Sequence, residues 1–151
     1  MLDDSIGFLL SRTTRKLTQR LNARFEPYGV TTEQFAVLQR LAERDGVSQK
    51  ELAARVEKDQ TNVTRILDQL ERKRLVVRER SEEDRRSFVL RITDQGRTLS
   101  EALAPVERET IREALGGLSD ERIAALRDAL NQIWSNACRR RNAAGEECRD
   151  A

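Results

Sequence analysis

The feature that most constrains this chain is the stretch covering residues 47–93, where helical spacing is broken once by a turn and then gives way to alternation: VSQKELAARVEKDQTNVTRILDQLERKRLVVRERSEEDRRSFVLRIT. Ser48 and Glu51 have the spacing of a capping box, with Val47 and Leu52 at the staple positions, so a short helix is expected to end near Val56. Asp59 is the expected cap of a second helix reaching about Lys73. Its Val63, Ile66, Leu67 and Leu70 fall on one face at the helical period. Val76 to Arg80 and Ser87 to Ile92 read as strands, and in the second Phe88, Leu90 and Ile92 alternate with Val89 and Arg91. Between the strands lies the charged loop Ser81-Glu82-Glu83-Asp84-Arg85-Arg86.

The side of the second helix opposite its apolar face opens with Gln60, Thr61, Asn62, Thr64 and Arg65. Such side chains can reach base edges and hold phosphates. Taken alone, the pattern also fits an ordinary helical hairpin with a solvated face. The strand–loop–strand that follows, with Arg85 and Arg86 in its loop, decides for a winged helix-turn-helix and for sequence-specific DNA binding. A guanidinium on such a loop can enter a narrow minor groove, and Asp84 is expected to hold the Arg86 side chain in place.

Helices flank this unit. The first is expected from about Asp4 to Phe25, with Ile6, Leu10, Leu17, Leu21 and Phe25 near one stripe, and Pro27 and Gly29 ending it. Thr31 and Gln34 form a capping box for the next, whose Phe35, Leu38, Leu41 and Ala42 face inward. After the hairpin, Thr93 or Asp94 starts a fifth helix in which Pro105 should make a kink or a break. Gly116-Gly117 ends it, and Ser119 caps a last helix with Ile123, Leu126, Leu130, Ile133, Trp134 and Ala137 on one face. The expected fold is therefore mainly α: a winged helix-turn-helix over residues 31–93, dimerisation helices over 1–30 and 94–138, and a polar, flexible tail over 139–151. The end helices carry apolar faces that a small central unit cannot cover, and a second copy of the chain is the simplest cover.

Charge agrees with this division. Residues 1–47 hold seven basic and six acidic side chains, residues 48–93 twelve and nine, and residues 94–151 nine and eleven, so the positive excess sits in the winged segment. The chain has no histidine, which removes the commonest general base and zinc ligand. No nucleophile with a base and no phosphate loop is found, so neither an enzyme nor a metal or cofactor site is expected. The charged first helix argues against a leader, and no apolar run approaches the roughly 20 residues that span a bilayer. A cytoplasmic protein without membrane contact is expected.

The pairs Leu52-Ala53, Leu70-Glu71 and Leu75-Val76, with Val63-Thr64-Arg65, Arg78, Asp84-Arg85-Arg86-Ser87, Ile92-Thr93 and Gly96, give the chain a resemblance to the MarR family of bacterial winged-helix regulators, from about Ile6 to Ala137. The resemblance implies a homodimer, a palindromic operator, repression as the usual outcome, and release by a small ligand or an oxidant. It places Gln60, Thr61, Asn62, Thr64 and Arg65 on DNA, with Arg86 as the minor-groove arginine. It also implies an aromatic carboxylate effector in a crevice lined by Ser11, Arg12, Arg15 and Phe35, Arg15 pairing with the carboxylate. Some relatives sense oxidants through a cysteine in the first helix. This chain has none there, and Cys138 and Cys148 read as incidental thiols. Many relatives have glycine where this chain has Arg74: either the helix ends differently here, or Arg74 is accepted for its charge near the DNA backbone. Two rival readings are an architectural DNA-binding protein without strong sequence preference and a protein-interaction module.

Overall fold

A computed structural model of the chain describes residues 5–142, with side chains through residue 138. The elements in order are α1 (Ile6–Phe25), a 3-10 turn (Glu26–Tyr28), α2 (Thr32–Glu43), α3 (Gln49–Arg55), α4 (Gln60–Arg72), β1 (Val76–Arg80), β2 (Phe88–Ile92), α5 (Asp94–Ala114) and α6 (Asp120–Asn142). The chain divides into two compact units, residues 1–111 and 112–151. No described helix is long and apolar enough to cross a membrane.

Local chemistry sets most boundaries of the first unit. Thr31 caps α2 reciprocally with Gln34, as expected. Ser48 accepts from the backbone N–H of Glu51, but the return arm of that box is replaced: the Glu51 carboxylate meets Arg44 at 3.1 Å instead. The apolar face of α4 is fully inside, with Val63, Ile66, Leu67 and Leu70 each no more than 1% exposed. They join Phe35, Val37, Leu38 and Leu41 of α2, Leu52 of α3, Leu75 and Val76, Leu90 and Ile92, and also Phe25 of α1 and Leu103 of α5, in one core. The rings of Phe25 and Phe35 meet edge to face at 5.0 Å.

The hairpin pairs Val76 with Ile92 through to Arg80 with Phe88. Its second strand is covered on the other side: Gly46 donates to the Leu90 carbonyl, Leu90 donates to that of Val47, and Asp45 accepts from the Ile92 N–H. The outer edge of β2 is thus paired at the base of the wing. The alternation of β2 holds at Leu90 and Ile92, while Phe88, near the tip, is 53% exposed.

The end of α4 settles the question raised by Arg74. Leu75 donates to the Leu70 carbonyl and Arg74 to that of Glu71, the two bonds of a Schellman ending. Arg74 itself takes the left-handed conformation, φ 58°. An arginine thus occupies the conformation glycine prefers, at a cost of about 1–2 kcal/mol. The turn is then pinned from α5, since Thr93 donates its hydroxyl proton to the Arg74 carbonyl and accepts from the Gly96 N–H.

Gly96 shows why this junction needs a bare backbone. A Cβ there would lie 2.2 Å from the Leu75 carbonyl oxygen and 2.9 Å from Ile92 Cγ1. Glycine to alanine inside a helix normally stabilises by up to about 1 kcal/mol. Here the sign should reverse, with Gly96→Ala losing roughly 1–3 kcal/mol by overpacking. Thermal unfolding followed by circular dichroism checks this: a melting temperature at or above the parent's would overturn the close approach.

Pro105 does not break α5, which runs through it. Pro105 and Glu101 are both exposed, so water can reach the carbonyl whose partner the proline removes. In the second unit Gly117 adopts φ 83° and Ser119 caps α6 by accepting from the Arg122 N–H. Helix α6 continues to Asn142, beyond the start of the expected tail. Cys138 is half-buried; Cys148 and the end of that tail lie outside the described residues.

Candidate nucleic-acid interface

Helix α4 is held to its scaffold by a polar knot around the buried Gln34. Gln34 on α2, 4% exposed, donates to Gln69 at 2.8 Å and accepts from Lys73 at 2.8 Å, and Lys73 also donates to the Gly29 carbonyl. On the wing side Arg78 of β1 reaches back to Asp68 at 2.9 Å and to Glu71. The two nitrogens of the Arg78 fork thus fasten the hairpin to α4. Its place in the family pattern had no structural role until the fold put strand and helix side by side.

With its inner face locked, α4 presents Gln60, Thr61, Asn62, Thr64 and Arg65 to solvent, all exposed. Asp59 accepts from both the backbone N–H and the side-chain amide of Asn62, at 2.9 and 2.7 Å. These bonds, the backbone one first, hold the Asp59 carboxyl below the usual carboxylate range. Asn62 is therefore partly committed to the cap and keeps its side-chain carbonyl for other partners. Thr64 is also engaged: its hydroxyl donates to the Gln60 carbonyl at 2.8 Å and accepts from Gln49 at 2.5 Å. With its one proton used, Thr64 can offer a groove only its methyl group and a lone pair.

Arg65 meets Glu33 of α2 at 3.2 Å, and the same carboxylate meets Lys58 at 3.0 Å. The Lys58 ammonium, then Arg65, holds the Glu33 carboxyl below its usual range against the opposing effect of partial burial. Glu33, Gln49 and Lys58 were absent from the residues expected at this site. No spacing marks them, because each contact joins side chains far apart in sequence.

In the wing, Arg85 and Arg86 are exposed. No described carboxylate makes an ion pair with either guanidinium. The expected bond from Asp84 to the Arg86 side chain is not made. Asp84 accepts instead from the Arg86 backbone N–H at 2.9 Å, as a turn-forming aspartate does. Its carbonyl accepts from Ser87, and Ser81 accepts from the Glu83 and Asp84 N–H groups. The loop backbone is thus internally tied while its two arginines stay extended to solvent. At the wing base Arg91 bridges to Glu79 at 2.7 Å, which with Asp45 nearby raises its already high pKa.

Of the residues expected around an effector, one is buried and three are exposed on α1. Phe35 is 2% exposed and belongs to the core. Ser11, Arg12 and Arg15 are exposed on α1, and the Arg12 guanidinium lies 5.7 Å from the centroid of the Phe8 ring. A crevice of about 700 Å³ opens elsewhere, lined by Tyr28, Lys73, Leu75, Gln95, Thr98 and Leu99 among others.

Comparison with known proteins agrees with this geometry. The model of the MarR family matches residues 30–88. A crystal structure of a probable transcriptional regulator from Pseudomonas aeruginosa is 31% identical, covering 88% of this chain and 99% of that one, with a TM-score of 0.77. The MepR–DNA complex of S. aureus is 25% identical over 87% of this chain and 98% of its own, with a TM-score of 0.82. CouR from Rhodococcus jostii RHA1, bound to p-coumaroyl-CoA, is 29% identical over 88% and 94%, with a TM-score of 0.77. The winged helix-turn-helix built on α3, α4 and the hairpin is the fold of these relatives, and the chain belongs to the MarR family as a DNA-binding transcriptional regulator.

Proposed function

We propose that this regulator is a homodimer that binds a palindromic operator, represses transcription there, and is released by a small ligand. One observation carries the reading: the opening face of α4 is exposed and polar while its opposite face is locked into the core. In the proposed complex Gln60, Thr61, Asn62, Thr64 and Arg65 enter the major groove, and Arg85 and Arg86 reach the flanking minor groove. Helices over 1–30 and 94–138 join the two copies, and 31–93 binds DNA. The half-sites then lie about one helical turn, roughly 34 Å, apart. The MepR–DNA complex supports the mode of binding, and CouR bound to p-coumaroyl-CoA supports a small-molecule effector. For an aromatic carboxylate, Ser11, Arg12, Arg15 and Phe35 are the proposed contacts.

Fluorescence anisotropy with a duplex selected from a random pool tests this. A regulator should prefer its selected site over random duplex by a thousandfold or more, whereas an architectural protein would discriminate weakly. Affinity for either duplex should fall steeply with salt, by about three orders of magnitude between about 50 and 200 mM if some six phosphates are contacted. A flat log–log salt plot would rule out phosphate-dominated binding and favour a protein-interaction module.

A further inference from the structure

The Glu33 carboxylate is placed unusually for an acid beside a DNA-binding surface. Its two oxygens are divided between two cations of that surface: Oε1 takes Lys58 Nζ at 3.0 Å and Oε2 takes Arg65 Nη2 at 3.2 Å. Glu33 also sits in the first turn of α2, where the helix dipole favours a negative charge. The carboxylate is therefore anchored from its own helix and from both partners. Lys58 lies just before the cap of α4, and Arg65 lies in its second turn. An exposed pair of this kind contributes little to stability, so what it mainly supplies is geometry and charge.

The geometry points to Glu33 as a specificity-determining residue, which positions the Arg65 guanidinium for guanine and withholds Arg65 and Lys58 from phosphate. This inference rests on Arg65 being a base-reading residue, as proposed above. An arginine fork carries five N–H donors. Glu33 takes one of them on Nη2, which leaves four: the Nε proton, the other Nη2 proton and both on Nη1. Two parallel N–H groups are what guanine O6 and N7 require. Arg65 can thus be braced from behind and still read a base. Without the brace the guanidinium turns freely and can pair with any nearby phosphate. The same holds for Lys58. Removing the negative charge would strengthen contact with every sequence while weakening discrimination among them.

Glu33→Gln tests this with the charge removed and the shape kept. Specific affinity is measured on the selected duplex, and non-specific affinity on a random duplex of equal length, at matched salt. Glu33→Gln should bind random duplex several-fold more tightly and lower the specific-to-random ratio by about tenfold. It should steepen the salt slope by about one per protomer. Its melting temperature should stay near the parent's, because Glu33 is partly exposed and not in the core. In an Arg65→Ala background the same change should leave the ratio untouched. If Glu33→Gln lowers both affinities equally, or leaves the ratio unchanged while Arg65→Ala lowers it, the inference fails and the base-reading role of Arg65 stands. If Arg65→Ala alone leaves the ratio unchanged, the base-reading role fails and the inference falls with it.

Discussion

Arg65→Ala and Arg86→Ala are each expected to weaken operator binding strongly, and to do so in different ways. A bidentate arginine–guanine contact discriminates by about 1–3 kcal/mol, or roughly five- to 150-fold, at each half-site. Arg65→Ala should therefore lower affinity for the selected operator and relax the preference at one base pair of each half-site. Arg86 extends from a loop whose backbone is tied by Asp84 and Ser81, so its guanidinium is presented on a firm support. The minor groove distinguishes mainly A·T from G·C and offers its strongest negative potential where it is narrow. Loss of Arg86 should consequently depend on the width of the flanking groove and leave base preference in the core unchanged. Neither residue is in the core, so both variants should melt like the parent. Anisotropy on a panel of operators with single-base changes in core or flank separates the two effects. Parent-like affinity of both variants, at matched salt, would refute the assignment of helix and wing.

Much of this site was legible because its determinants are local. The apolar period of α4, the Asp59 cap and the Thr31–Gln34 box depend on residues three or four apart, and all three are present in the fold. Local reading fails where a distant side chain competes. Glu51 has the spacing of a box but finds Arg44. Asp84 is two residues from Arg86, and that spacing suits the backbone N–H rather than the guanidinium. Phe88 keeps the alternation of a buried strand, yet the hairpin outruns the core that buries Leu90. Phe35 shows how far a local period reaches: it sets the ring with Leu38, facing inward, and the fold puts both in the core. The contacts that shape the recognition surface, Glu33 with Arg65, Gln49 with Thr64 and Arg78 with Asp68, join different elements. They become visible only when the fold supplies their distances.

Ending the chain at Gly117 should convert the protein to a monomer and weaken operator binding by two to four orders of magnitude. The deletion removes α6, on which Leu126, Leu130, Ile133 and Trp134 are each 39–44% exposed. Their spacing puts them along one side of the helix, and a continuous apolar stripe of that size marks an interaction surface. Covering each side chain would contribute on the order of 1 kcal/mol, and a symmetric interface counts each one twice. Two linked winged units bind the second half-site at millimolar effective concentration, an avidity of roughly 10²–10⁴ that a monomer lacks. The fold of the winged unit should survive, because the core containing Phe25, Leu38, Leu67 and Leu103 lies wholly within residues 1–111. Light scattering after size exclusion, a thermal melt and anisotropy on one- and two-half-site duplexes read the three expectations separately. The truncated protein should bind both duplexes alike, whereas the full chain should prefer the two-half-site duplex by the avidity factor. A full-length chain that is monomeric at micromolar concentration would refute the dimer, and a truncated one that keeps this preference would place the dimer interface somewhere other than α6.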